Sequence, residues 1–185
     1  MYWSKTLTTP THGSSRRLPY GMQRHLKSLS SPVERLSTST QITQNAYAQL
    51  GALEVLCGRP EKAFLLLEKA IEIDPKSTGL WVPYYWGGIA HLLLGQGHDA
   101  VQWLKRSLEA DATNVDAIHK YLASAYASIG DMDRANGALR EYLRRVPGQS
   151  ITTDRQHRVS SDVPTFLTQY QRVIDGLRKA GMPER

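Results

Sequence analysis

Of the 185 residues, 23 are Lys or Arg and 17 are Asp or Glu, and the resulting charge of +6 is unevenly placed. Residues 1–40 carry six basic side chains against Glu34 alone, so the rest is nearly neutral and does not read as a nucleic-acid-binding body. No apolar run approaches the roughly eighteen residues of a membrane span, and the lone Cys57 excludes an internal disulfide or a cysteine-paired zinc site.

The first forty residues are rich in Ser, Thr, Arg and Pro, with large apolar residues only scattered among them. Such a stretch buries too little surface to offset its ordering entropy, so residues 1–40 are expected to be a disordered basic segment. Its Arg- and Ser-rich, acid-poor composition also resembles an organellar transit peptide. A secretory signal is not expected, because no uninterrupted apolar core follows the charges. A single thiol fits a reducing, cytoplasmic setting.

From residue 41 the pattern becomes helical and holds to residue 149. Residues 116–149 show it clearly: Ile118, Leu122, Ala125, Tyr126 and Ile129 recur at three- and four-residue intervals on one helical face, and Gly130 stops that helix. Asp131 and Asp133 then offer side-chain oxygens to a second helix. That helix would bury Ala135, Ala138, Leu139, Tyr142, Leu143 and Val146, and Pro147 ends it. Two similar hairpins precede it at 44–77 and 81–114. Ala63, Ala100 and Ala135 each follow a helix-stopping glycine, Gly58, Gly95 and Gly130, by five residues, and successive copies are offset by 37 and 35 residues. The segment Leu80–Leu94 is apolar on nearly every side, which suits the middle hairpin of a stack.

Past Pro147 the periodicity lapses over Gly148–Ser160, which reads as a loop holding a short helix. Residues 150–185 then close with one amphipathic helix. Ser161 or Asp162 is its expected cap, Pro164 lies in its first turn, and Phe166, Leu167, Tyr170, Val173, Ile174 and Leu177 share a face. A helix there would cover apolar surface left by the last hairpin.

The three copies resemble the tetratricopeptide repeat. Residues 44–77 carry Tyr47, Leu50-Gly51, Gly58, Ala63, Leu67, Ala70 and Asp74-Pro75, and the later copies carry Gly87-Gly88 and Leu122-Ala123 where the first has Leu50-Gly51. The resemblance implies an all-α helical-hairpin solenoid of three repeats with a C-terminal capping helix. The ending Gly176-Leu177-Arg178-Lys179-Ala180-Gly181-Met182-Pro183-Glu184, after three repeats, is also similar to the C-terminal tail of rhizobial-type class III adenylate cyclases. That likeness implies the repeat region of such an enzyme without its catalytic domain. The chain would then be a regulatory fragment, or a free-standing module in cyclic-nucleotide signalling.

Catalytic and cofactor patterns do not emerge. His91 and His98 are separated by the helix-stopping Gly95 and so are not placed as a metal pair, and the phosphate-binding Gly-Lys-Ser loop and the Gly-x-Ser-x-Gly elbow are both missing. No cofactor or metal is expected, and the protein reads as non-enzymatic. In the repeat's geometry the first helix of each hairpin lines an inner groove, here Asn45, Ala48, Ala52 and Val55, then Val82, Tyr85, Ile89 and Leu92, then Lys120 and Ser124. Lysine, asparagine and arginine fill this face in the members that clamp acidic chaperone tails; here it is mostly apolar, and Lys120 is its one clear cation. The expected partner is therefore an apolar peptide or amphipathic helix. The competing occupant of the groove is the chain's own tail or a second copy of the chain.

Overall fold

The computed structural model describes residues 32–110, 115–157 and 161–185. The chain divides into two compact units, Met1–Ser37 and Thr38–Arg185. Of the first unit only the helical residues from Pro32 are described, so the expectation of disorder for residues 1–31 lies outside the described residues.

Helix α1 spans Pro32–Leu56 and therefore begins inside the segment read as disordered. Once Ile42–Leu56 holds a helix, extending it toward the N-terminus adds one hydrogen bond per residue fixed, so polar residues suffice. Pro32 opens it, at a position where a missing N–H is tolerated. The hairpins are α1 with α2 (Pro60–Ile73), α3 (Trp81–Leu94) with α4 (Gly97–Ala110), and α5 (Val115–Ser128) with α6 (Met132–Arg145). A 3₁₀ turn, Thr78–Leu80, lengthens the first connection, and the Ser77 hydroxyl caps it by accepting from Gly79 N at 3.0 Å.

Each hairpin turns at a glycine in the left-handed region: Gly58 (φ 70°), Gly95 (φ 78°) and Gly130 (φ 82°). Only glycine adopts that conformation without strain, so the sequence signal and the turn coincide. Within a hairpin the helices cross closely. A β-carbon on Gly51 would lie 2.5 Å from Leu67, and one on Gly88 2.5 Å from Leu104. Between hairpins, α3 packs on α2 and α5 packs on α4, which makes the array continuous. Asp131 caps α6 by accepting from Arg134 N at 3.3 Å, whereas Asp133 lies inside the first turn.

Two further helices follow, the short α7 (Ile151–His157) and the longer α8 (Pro164–Lys179). Neither Ser161 nor Asp162 caps α8. Its N-cap is Val163, without a side-chain hydrogen bond, and the Ser161 hydroxyl instead donates to Leu56 O at 2.5 Å. The closing helix covers apolar surface as expected, but that surface is the side formed by the first helices: α8 packs on α5 and α3. Phe166, Tyr170, Val173, Ile174 and Leu177 are all buried there. Among the described residues no helix is long and apolar enough to cross a membrane.

Candidate interaction surface

The inner face of hairpins two and three is occupied by the chain itself. Along α8, Gln169 Nε2 donates to Gly58 O at 3.5 Å, Arg172 Nη1 to Leu93 O at 2.6 Å, and Val173 O accepts from Ser124 Oγ at 3.0 Å. A β-carbon on Gly176 would lie 2.7 Å from Ser124 O, so a side chain at this crossing would hold the two helices apart. Residues 183–184 fold back onto α7: Ile151 N donates to Pro183 O at 2.8 Å and Thr152 N to Glu184 O at 3.1 Å. The first N–H groups of α7, which have no partner within the helix, are satisfied by the chain's own end.

Lys120 is the main correction. Expected as an exposed cation in the groove, it is 0 % exposed. Its Nζ donates to Asp154 Oδ1 at 2.7 Å and to Tyr170 Oη at 3.2 Å, while Tyr170 Oη donates to Asp154 Oδ2 at 2.8 Å. The Tyr121 ring centroid lies 4.4 Å from the ammonium. Three polar groups from α5, α7 and α8 thus satisfy one another where water is excluded, as buried polar groups must. Burial pushes the Tyr170 hydroxyl well above the ordinary tyrosine range, and Tyr121 and Asp154 push it the same way.

The other groove residues divide by position. Ala48, Ala52, Val55, Ile89, Leu92 and Ser124 are buried within the fold and offer no open surface to a partner. The reason is the same throughout: the face a partner was expected to cover is packed internally, by α8 along hairpins two and three. Tyr85 is half-buried, edge-on to Trp86 and to Tyr121, with centroids 5.5 and 5.6 Å away. Asn45 and Val82 differ from these. Together with Gln41, Gln49, Thr78, Gly79, Trp81 and Ala110 they line an open cleft of about 640 Å³ between α1, the 3₁₀ turn and α3.

Among the described residues, no lining residue of this cleft is ionisable. Gln41, Asn45 and Gln49 recur every four residues and so form an amide row along one helical face. Each amide offers both donors and an acceptor. Beneath them the buried Gln44 donates through Nε2 to Ala70 O and Asp74 O, each at 3.1 Å, and ties the cleft wall to the end of α2. Its Oε1 has no hydrogen-bond partner among the described residues. The amide row is legible at four-residue spacing, although the repeat's inner-face positions include only Asn45 of the three. Trp81 is not legible as a cleft residue, because an aromatic in an apolar segment reads as core.

Among the described residues no group of three or more His, Cys, Asp or Glu is placed to hold a metal. His91 instead pairs its Nδ1 with Gln96 Oε1 at 2.6 Å and packs on Phe64, centroids 4.4 Å apart. Residues 44–77 match the tetratricopeptide repeat family, in register with the first hairpin. None of the curated proteins matches the chain. The fold is an all-α, tetratricopeptide-like helical repeat, an architecture that serves as a protein–protein interaction scaffold.

Proposed function

We propose that this scaffold recognises an uncharged, extended segment of a protein partner in the cleft between α1 and α3. The amide row of Gln41, Asn45 and Gln49 beside Trp81 and Val82 supports the reading. Side-chain amides match the donors and acceptors of a peptide main chain, and the indole and the valine supply apolar area for one or two side chains of the guest. The described lining carries no cation, which disfavours a terminal carboxylate or a phosphorylated residue, both of which call for cations. A cleft of this size buries less than a standard interface, so the affinity expected is micromolar. Partners in cyclic-nucleotide signalling, suggested by the resemblance of residues 176–184, belong among the first segments to test.

The test is selection of short peptides from a displayed random library on the full chain, followed by fluorescence anisotropy with the selected sequences. Replacing Asn45 and Gln49 together by Ala removes two hydrogen-bonding groups at about 1 kcal/mol each, so binding is expected to weaken roughly tenfold or more. Affinity should hardly change between low and high salt. Selected peptides that bind the Asn45→Ala/Gln49→Ala variant and a Val82→Glu variant as tightly as the parent chain would remove the cleft from consideration.

A further inference from the structure

Among the described residues, one face of α1 meets no partner. Ile42, Leu50 and Leu53 are 54 %, 50 % and 55 % exposed, with the small, exposed Ala46 between them. In the later copies the positions equivalent to Ala46, Leu50 and Leu53 are Pro83, Gly87 and Ala90, then Ile118, Leu122 and Ala125, and all six are buried. This is therefore the surface by which a first helix enters the stack, and in α1 it carries larger apolar side chains than in α3. The exposed apolar area is about 300 Å², the range in which such patches mark interaction sites.

We propose that this face is the interface between two copies of the chain, α1 against α1 across a two-fold axis. Charge points to this occupant. From Leu36 to Leu53 the helix carries no Asp, Glu, Lys or Arg. A two-fold contact sets a surface against itself, and an uncharged surface meets no like-charge repulsion there. The head-to-tail alternative would set α1 on the outer side of α6. The exposed residues of that helix include Asp133, Arg134, Arg140, Arg144 and Arg145, and covering them with leucines would strip these charges of water while the apolar face of α1 offered no polar group in exchange. The pairing thus closes at two copies instead of propagating. Doubling the patch and adding its polar flanks brings the buried area near the lower bound of about 1,200 Å² for a specific interface, which corresponds to a dimer of micromolar strength.

The experiment is sedimentation velocity on the full chain from about 1 to about 200 µM, bracketing that affinity. The mass is expected to rise with concentration to twice the 20.8 kDa of one chain. Leu50→Lys/Leu53→Lys should raise the dimer dissociation constant at least a hundredfold while leaving helix content by circular dichroism unchanged, because both positions face solvent in the single chain. A single Ala46→Arg substitution provides a second disruption at the centre of the face. Met132→Lys, at an exposed apolar residue of the last hairpin, should leave the dimer intact. A chain that remains monomeric at the highest concentration overturns the proposal, whether residues 1–31 or another protein then cover α1. So does a dimer that persists in the α1 variants.

Discussion

The buried Lys120 shows how one side chain can join three elements. Removing its charge alone leaves Asp154 enclosed without a counter-ion, so Lys120→Met is expected to cost about 3–5 kcal/mol in urea unfolding. The double variant Lys120→Met/Asp154→Leu removes both charges and should recover most of that loss, because a paired buried charge adds little net stability over a packed apolar pair. Tyr170 adds a pH dependence. Its proton is held more tightly in the folded chain than in the unfolded one, where tyrosine titrates near about 10. Its stabilising contribution is therefore complete below about pH 10 and declines as the pH rises above that value. The urea midpoint of the parent chain should fall more steeply from pH 9 to 11 than that of Tyr170→Phe; equal slopes would exclude the hydroxyl as the cause. The sequence offered no sign of this network. Asp154 lies in a stretch without periodicity, 34 residues from Lys120, and local spacing is blind to such a pairing.

At the scale of elements, the hairpins were readable because each is specified locally, by a glycine at the turn and a small residue at the crossing. The docking of α8 was not. Its apolar face shows that it is buried, but several surfaces could have received it. The choice depends on Gly176 meeting Ser124 and on Ser161 reaching Leu56, contacts between residues distant in the chain. The ending from Gly176 to Glu184 finds a structural reading in the same place. Gly176 is the crossing point, Gly181 turns the chain at φ 88°, Met182 is buried, and the carbonyls of Pro183 and Glu184 hold α7. Two glycine substitutions separate packing from propensity. Gly176→Ala places a methyl against the Ser124 backbone and should destabilise by about 1–3 kcal/mol despite the better helix former. Gly137→Ala, whose β-carbon meets nothing within 4 Å, should stabilise by about 0.5–1 kcal/mol. Thermal and urea melts of the two single variants check both signs.

For the molecule as a whole, the C-terminal segment belongs to the core. Phe166, Tyr170, Val173, Ile174 and Leu177 together bury apolar surface on the order of 10 kcal/mol, comparable to the entire stability of an ordinary domain. A chain ending at Pro147, which the repeat pattern alone would nominate as a boundary, should therefore lack cooperative melting and bind hydrophobic dyes, while residues 38–185 should melt in one transition. Calorimetry of the two chains distinguishes these outcomes. Repeat arrays are ordinarily sums of neighbouring units, each stabilised mainly by the next. Here α8 touches all three hairpins, so loosening it weakens them together.

The fold-back of residues 183–184 onto α7 also sets an order on biosynthesis. The ribosome delivers α3 and α5 well before the helix that seals them, an interval of several seconds at ordinary elongation rates. Throughout that time Ile89 and Leu92 belong to a nascent chain whose inner face is unsealed, and residues 164–184, translated later, are the ones that lock it. A stalled or prematurely released chain thus displays apolar surface that the finished one conceals, which gives chaperones and proteases a physical basis for telling the two apart.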